Sequence, residues 1–220
     1  SFNGTDSGMT LTPDGKQLLF INTNDSEVKF IDLASGKEVN RVKLPDDQIN
    51  SLQLAVSTDG HVLAAGVVDK HFKFWDLTAK TSKELTTTSK DFCQVTISRD
   101  GRLIGLSENY TLRVWETGTL RELAPLKIPH GGSFGTFADA FASFSEDGKK
   151  IATSGFDTET IIWETETAKQ LSKVSGRTNM AYNVAFSSDG TQLAAGGRTR
   201  WDLRTGRGLR LSPADLDRTY

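Results

Sequence analysis

Short alternations of apolar and polar residues recur along the whole chain. Met9-Thr10-Leu11, Leu54-Ala55-Val56, Val95-Thr96-Ile97, Ala142-Ser143-Phe144 and Val184-Ala185-Phe186 place small or polar residues between apolar ones. A period of two is that of a strand with one buried face. Each segment leads into an Asp-Gly pair: Asp14-Gly15, Asp59-Gly60, Asp100-Gly101, Asp147-Gly148 and Asp189-Gly190. A second apolar run follows each pair, at Leu18–Ile21, Val62–Gly66, Leu103–Leu106, Ile151–Gly155 and Leu193–Gly196. Strand, Asp-Gly turn and strand is a hairpin signal.

A third element recurs at fixed spacing. Asp25, Asp69, Asn109 and Asp157 stand six residues before Ile31, Trp75, Trp115 and Trp163. Asp and Asn suit turns, because their side chains bond to nearby backbone amides. The large residue then ends a third strand, and an acid follows it: Asp32, Asp76, Glu116, Glu164, and Asp202 after Trp201. A fourth, more polar strand is predicted at Lys37–Lys43, Lys83–Thr87, Arg121–Ile128, Lys169–Val174 and Arg207–Leu211. Polar residues suit a sheet edge in contact with water.

The Asp-Gly pairs are 41 to 47 residues apart, so the chain reads as one repeat region with units at about 7–44, 50–87, 91–128, 138–175 and 181–211 and a tail at 212–220. Internal repetition at such a period decides the fold. Phe72-Lys-Phe-Trp-Asp-Leu77, Leu112-Arg-Val-Trp-Glu116 and Phe186-Ser-Ser-Asp-Gly190 carry the resemblance. The chain resembles the WD-repeat family of β-propellers, over Ser7 to Leu211. The resemblance implies an all-β propeller of four-stranded antiparallel blades. Five repeats are visible, and the expectation is that they form part of a larger, seven-bladed ring. The segment Arg198–Arg210 is similar to the end of repeat arrays in multidomain bacterial proteins, some of which carry a caspase-like peptidase domain.

Three departures from the family pattern shape the expectations. The Gly-His that precedes strand one in the family is missing from its place, which leaves the turn acids to local amides or water. The fifth unit has only Gly196-Gly197-Arg198 between its middle strands, which predicts clipped strands and a distorted or partly open blade. Nothing before Gly8 reads as a strand that closes a ring.

The 220 residues carry 26 Lys and Arg against 28 Asp and Glu, a net charge of −2 that does not suit a nucleic-acid binder. A single cysteine, Cys93, excludes an internal disulfide and a zinc ribbon. No apolar run approaches the roughly 18 residues of a membrane span, so no membrane partner is expected. The cytoplasm is the expected compartment.

Few residues suggest chemistry. Gly131-Gly-Ser133-Phe-Gly135 fits a serine-hydrolase pattern, but that pattern needs a strand-to-helix turn, and a strand follows here. His61 and His71 fall in turns at opposite ends of one unit, and His130 lacks a third ligand, so no metal site and no cofactor are expected. Cys93 reads as a small buried thiol. Trp75, Trp115, Trp163 and Trp201 read as core residues and, with the turn residues Asp25, Asp69, Asn109 and Asp157, as structural positions.

The candidate partner site is the long connection Pro129–Asp139, with His130, Phe134 and Phe137, beside neighbouring loop residues Asp91, Arg177 and Asn179. Loops on a rigid scaffold are where binding concentrates. The expected function is a non-catalytic platform for a protein partner or fused domain, as a regulatory or sensing module of a larger multidomain bacterial protein. A free-standing scaffold and, more remotely, a propeller hydrolase are the alternatives.

Overall fold

The computed structural model describes residues 8–22, 27–44, 50–57, 59–68, 71–86, 94–108, 110–129, 141–155, 159–175, 184–187, 189–195, 199–205 and 207–210. These form strands and turns, with no helix among the described residues. There are five four-stranded sheets, each in simple chain order. Sheet one holds β1 (Met9–Leu11), β2 (Gln17–Asn22), β3 (Glu27–Asp32) and β4 (Glu38–Lys43). Sheet two holds β5 (Asn50–Val56), β6 (Val62–Val68), β7 (His71–Asp76) and β8 (Thr81–Thr86). Sheet three holds β9 (Gln94–Ile97), β10 (Leu103–Glu108), β11 (Thr111–Glu116) and β12 (Leu126–Lys127). Sheet four holds β13 (Phe141–Phe144), β14 (Lys150–Ser154), β15 (Glu159–Glu164) and β16 (Gln170–Ser175). Sheet five holds β17 (Val184–Phe186), β18 (Gln192–Ala195), β19 (Thr199–Asp202) and β20 (Arg207–Arg210). The pairings whose register is resolved are antiparallel, as expected of propeller blades.

Two expectations are corrected. The fourth strand of the third unit is not continuous over Arg121–Ile128: Glu122 makes an isolated bridge and the Leu123 N–H donates to the Val114 carbonyl, while the strand β12 is Leu126–Lys127 alone, with Thr111 opposite Lys127. Pro125 stands immediately before it, has no N–H to donate, and interrupts the ladder. The fifth sheet is clipped but not open. Its middle strands have four residues each and pair without a break from Gln192 opposite Asp202 to Ala195 opposite Thr199, and β20 completes the sheet.

By its internal contacts the chain divides into two units, Ser1–Leu106 with Trp115–Arg121, and Ser107–Val114 with Glu122–Tyr220. Each sheet has a face that carries the Trp, or Ile31 in sheet one, and an opposite face. In the first unit, Leu19, Ile21, Val28 and Phe30 on the opposite face of sheet one pack on Leu54, Val56, Ala64 and Trp75 of sheet two. The next contact repeats the arrangement: Ala65, Val67, Phe72 and Phe74 pack with Val95, Ile104, Leu106 and Trp115. The Phe72 and Trp115 rings lie 5.5 Å apart, tilted by 44°. In the second unit, Ala152, Ile162 and Val174 of sheet four pack on Val184, Leu193, Ala195 and Trp201 of sheet five. Burial of each aliphatic or aromatic side chain in these layers contributes about 1.5–3 kcal/mol.

Candidate functional site

Two turn devices recur at one end of the sheets. The first surrounds every Asp-Gly pair. Thr12, Ser98, Ser145 and Ser187 donate a hydroxyl to the aspartate two residues on, at 2.6–2.7 Å, and Ser57 does the same to Asp59. The same hydroxyl oxygens accept the N–H of Gln17, His61, Leu103, Lys150 and Gln192 at 2.9–3.0 Å. The turn glycines have φ between 65° and 88°, a region that disfavours residues with a Cβ. Hydroxyl donation holds the carboxyls of Asp14, Asp59 and Asp147 below the usual carboxylate range, and that of Asp189 down to about 2. A Ser or Thr two residues before each Asp-Gly is visible in the sequence, and sequence reasoning missed it.

The second device is the acid after each Trp or Ile31. Asp32 Oδ1 accepts from the Ser35 N–H at 2.8 Å, Asp76 Oδ1 from the Ala79 N–H at 2.8 Å, and Asp202 Oδ1 from the Arg204 N–H at 2.9 Å. Glu116 reaches the Thr119 hydroxyl at 2.7 Å, and Glu164 takes the Thr167 hydroxyl. Each acid caps its own β3–β4-type turn. Four residues after the acid the backbone turns left-handed, at Gly36, Lys80, Leu120 and Ala168.

Sheet two breaks the pattern. In the other four sheets, an N–H donates to the carbonyl of the residue directly after the turn glycine: Leu33 to Lys16, Thr117 to Arg102, Thr165 to Lys149 and Leu203 to Thr191. In sheet two the acceptor is Val62, two residues after Gly60. The β5–β6 turn itself is tighter, closing from the Ser57 N–H to the His61 carbonyl over four residues where the other turns take five, and β6 runs further past the end of β7, so that His61 stands at its tip. Its Nδ1–H donates to Asp76 Oδ2 at 2.7 Å. This hydrogen bond, with the charge of Asp76, raises the imidazole pKa above its ordinary value. The sequence places His61 in a turn, and the structure gives it Asp76 as a partner there.

The tip of the β5–β6 hairpin borders a cleft of about 330 Å³ within the first unit. Leu63, Phe74, His61, Asp76 and Asp100 to Arg102 are among the residues that line it. Lys83 crosses it, donating from Nζ to the carbonyls of Thr117 and Gly118, at 2.6 Å each. Arg102 is largely exposed at the rim. The hydroxyl of Ser57 and the carboxylates of Asp59, Asp76 and Asp100 all hold turns together. The cleft thus offers cationic and apolar contacts on a stiff frame. Among the described residues no group of three His, Cys, Asp or Glu side chains is placed to hold a metal.

The four tryptophans are buried, between 2% and 7% exposed, and Trp163 Nε1–H donates to Thr153 Oγ1 at 2.8 Å. Asp25, Asp69, Asn109 and Asp157 lie outside the described residues, as do His130, Phe134, Phe137, Asp91, Arg177, Asn179, Cys93 and the 131–135 glycine loop. His71 sits at the other end of sheet two from His61, with Nδ1 2.8 Å from Glu84 Oε1.

Residues 36–76 match the family model of the WD domain, G-beta repeat. The chain is 27% identical over 176 residues to nuclear distribution protein nudF of Aspergillus niger, covering 72% of this chain and 38% of that protein. It is 24% identical over 200 residues to autophagy-related protein 16 of Arabidopsis thaliana, covering 85% of this chain and 36% of that protein. It is 25% identical over 194 residues to periodic tryptophan protein 2 of Arabidopsis thaliana, covering 85% and 20%. The chain therefore spans less than two-fifths of the length of these curated relatives. The stretch similar to the WD domain, G-beta repeat runs from the last turn of sheet one through β7 and ends on Asp76, the acid that holds His61.

Proposed function

We propose that this chain is a non-catalytic platform for protein partners, and that it serves as the regulatory or sensing module of a larger protein. The observation that carries the reading is the use made of the polar side chains at the turns. Serine hydroxyls and carboxylates that hydrolytic chemistry needs are engaged in capping, and what faces outward is a stiff cleft rim with Arg102 and Lys83. Rigid sheets that present many short turns create a composite surface at little ordering cost. Similarity to stretches of longer proteins supports the modular form of the reading. The loop residues His130, Phe134, Phe137, Asp91, Arg177 and Asn179 belong to the same proposal as a second contact region.

The test is affinity capture from extract of the source cells, with the native chain and Arg102→Glu side by side. Arg102 is exposed, so charge reversal there is expected to leave the melting temperature unchanged. Specific proteins retained by the native chain and depleted with Arg102→Glu support the platform and its cleft. Identical recovery with both, or hydrolytic activity intrinsic to the purified chain, overturns it.

A further inference from the structure

The charged groups that border the cleft are engaged unequally. Three of them are carboxylates, and each is committed to its own turn. Asp59 and Asp100 take the hydroxyls of Ser57 and Ser98. Asp76 accepts from the Thr78 and Ala79 N–H groups through Oδ1 and from His61 through Oδ2. The other three are His61, Lys83 and Arg102, and each retains donor capacity without an acceptor among the described residues. Asp76 holds Nδ1 of His61, so Nε2 is the ring nitrogen left over, and the side chain is 42% exposed. Lys83 directs two N–H groups to the carbonyls of Thr117 and Gly118, and an ammonium has a third. Arg102 Nε stands 3.8 Å from Asp100 Oδ2, and its side chain is 85% exposed.

Two of these donors are fixed before any partner arrives. A carboxylate that is itself held by two amides sets the tautomer and orientation of the His61 ring. Two carbonyls hold the Lys83 ammonium in place. Little ordering cost then remains on binding. The balance of charge selects the ligand. With the imidazole protonated, three cations stand against three carboxylates, so the lining as a whole is neutral. It offers directed donors but no strong field, which suits a single carboxylate better than a phosphate dianion.

We propose that the cleft takes the carboxylate of an Asp or Glu side chain presented by a protein partner, with His61 Nε2, Lys83 and Arg102 as its donors. The proposal rests on the reading of the chain as a protein platform and names the chemistry that its partner brings. Nδ1 already carries the proton given to Asp76, so Nε2 donates only when the ring is an imidazolium. The affinity is therefore greatest in acid and falls as pH rises through the imidazole pKa, which Asp76 holds above its ordinary value. Beyond that pH, Nε2 presents a lone pair to the incoming oxygen, and the carboxylates of Asp59, Asp76 and Asp100 outnumber Lys83 and Arg102.

Selection of a random peptide library with blocked C-termini on the full 220-residue chain, at about pH 6, tests this. The retained peptides are expected to share one Asp or Glu, and its replacement by Asn or Gln is expected to abolish binding. Affinity for the native chain is expected to fall about tenfold between about pH 6 and pH 8.5, the worth of one charge-assisted hydrogen bond. His61→Asn keeps an amide N–H for Asp76 but has no Nε2. It is expected to bind about tenfold more weakly at the lower pH and to lose the pH dependence. Arg102→Gln, at an exposed position, is expected to weaken binding with an unchanged melting temperature. Acidic peptides that bind both variants as tightly as the native chain overturn the proposal. So does a selection that retains no peptide, or peptides with no acid in common. In those cases extract proteins held by the native chain and lost with Arg102→Glu would still support the platform, so the two readings fail separately.

Discussion

Gly101 of the third Asp-Gly turn is seated directly on Leu63 of sheet two. A Cβ at position 101 would stand 2.4 Å from Leu63 Cδ1 and 3.1 Å from Ser57 Cβ. The glycine also has φ of 71°. Two demands coincide there: left-handed backbone and space for a buried leucine of the neighbouring sheet. Gly101→Ala is expected to destabilise by about 2–4 kcal/mol, the sum of left-handed strain and overpacking. Thermal unfolding of Gly101→Ala, Leu63→Val and the double variant checks it. Shortening Leu63 should recover part of the loss, so the double variant should lie above the additive expectation.

The His61–Asp76 hydrogen bond predicts a pH dependence of known sign. Its folded pKa is raised above the ordinary histidine value. The stabilisation is therefore fully present below the unfolded pKa of about 6.5 and is lost as pH rises through the folded value. Imidazole resonances followed by NMR should titrate above that of a free histidine. Asp76→Asn should return the midpoint toward it. A midpoint that Asp76→Asn does not move would mean that the pair does not form in solution.

The Asp-Gly turns predict the opposite sign at low pH. Asp189, with a carboxyl pKa of about 2, favours the folded state above its unfolded value, and this is lost as pH falls through about 2. Ser187→Ala removes the hydroxyl that donates to Asp189 and accepts from the Gln192 N–H. The carboxyl should then titrate closer to an unperturbed aspartate, and stability at neutral pH should fall by about 1 kcal/mol. Carboxyl-detected NMR and urea denaturation measure the two effects.

Lys80 occupies the left-handed position that Gly36 fills in sheet one, with φ of 56°, and its side chain is exposed. Lys80→Gly relieves this strain at some cost in unfolded-chain entropy, and is expected to raise stability by up to about 1 kcal/mol. Leu120 and Ala168 share the backbone strain but are partly buried, so the same change there should yield less. Denaturant midpoints of the three glycine variants rank them.

Much of the repeat is legible from local chemistry. Alternation at Leu54-Ala55-Val56 and the Asp59-Gly60 pair suffice for a hairpin, and the Trp-acid spacing supplies the third strand. The short β12 is less legible, because tracing strand four by polar character alone passed over Pro125. The Ser-x-Asp-Gly arrangement is fully present in the sequence, yet its meaning emerges only when the hydroxyl is seen serving a carboxylate and an amide together.

The amino-acid sequence by itself determined the strand count, the turns and the four-strand order, because these depend on contacts between near neighbours in the chain. It did not reveal the cleft or the function of His61. One residue more between Gly60 and the Val62 carbonyl carries that imidazole to Asp76, fifteen positions away, and only strand register sets such a meeting. Nor did alternation distinguish Met9 and Leu11 from Leu54 and Val56. All four are apolar at equivalent rhythm, and burial depends on which sheet lies opposite. Local pattern assigns a residue to a face; the tertiary packing of another sheet decides whether that face is core or surface.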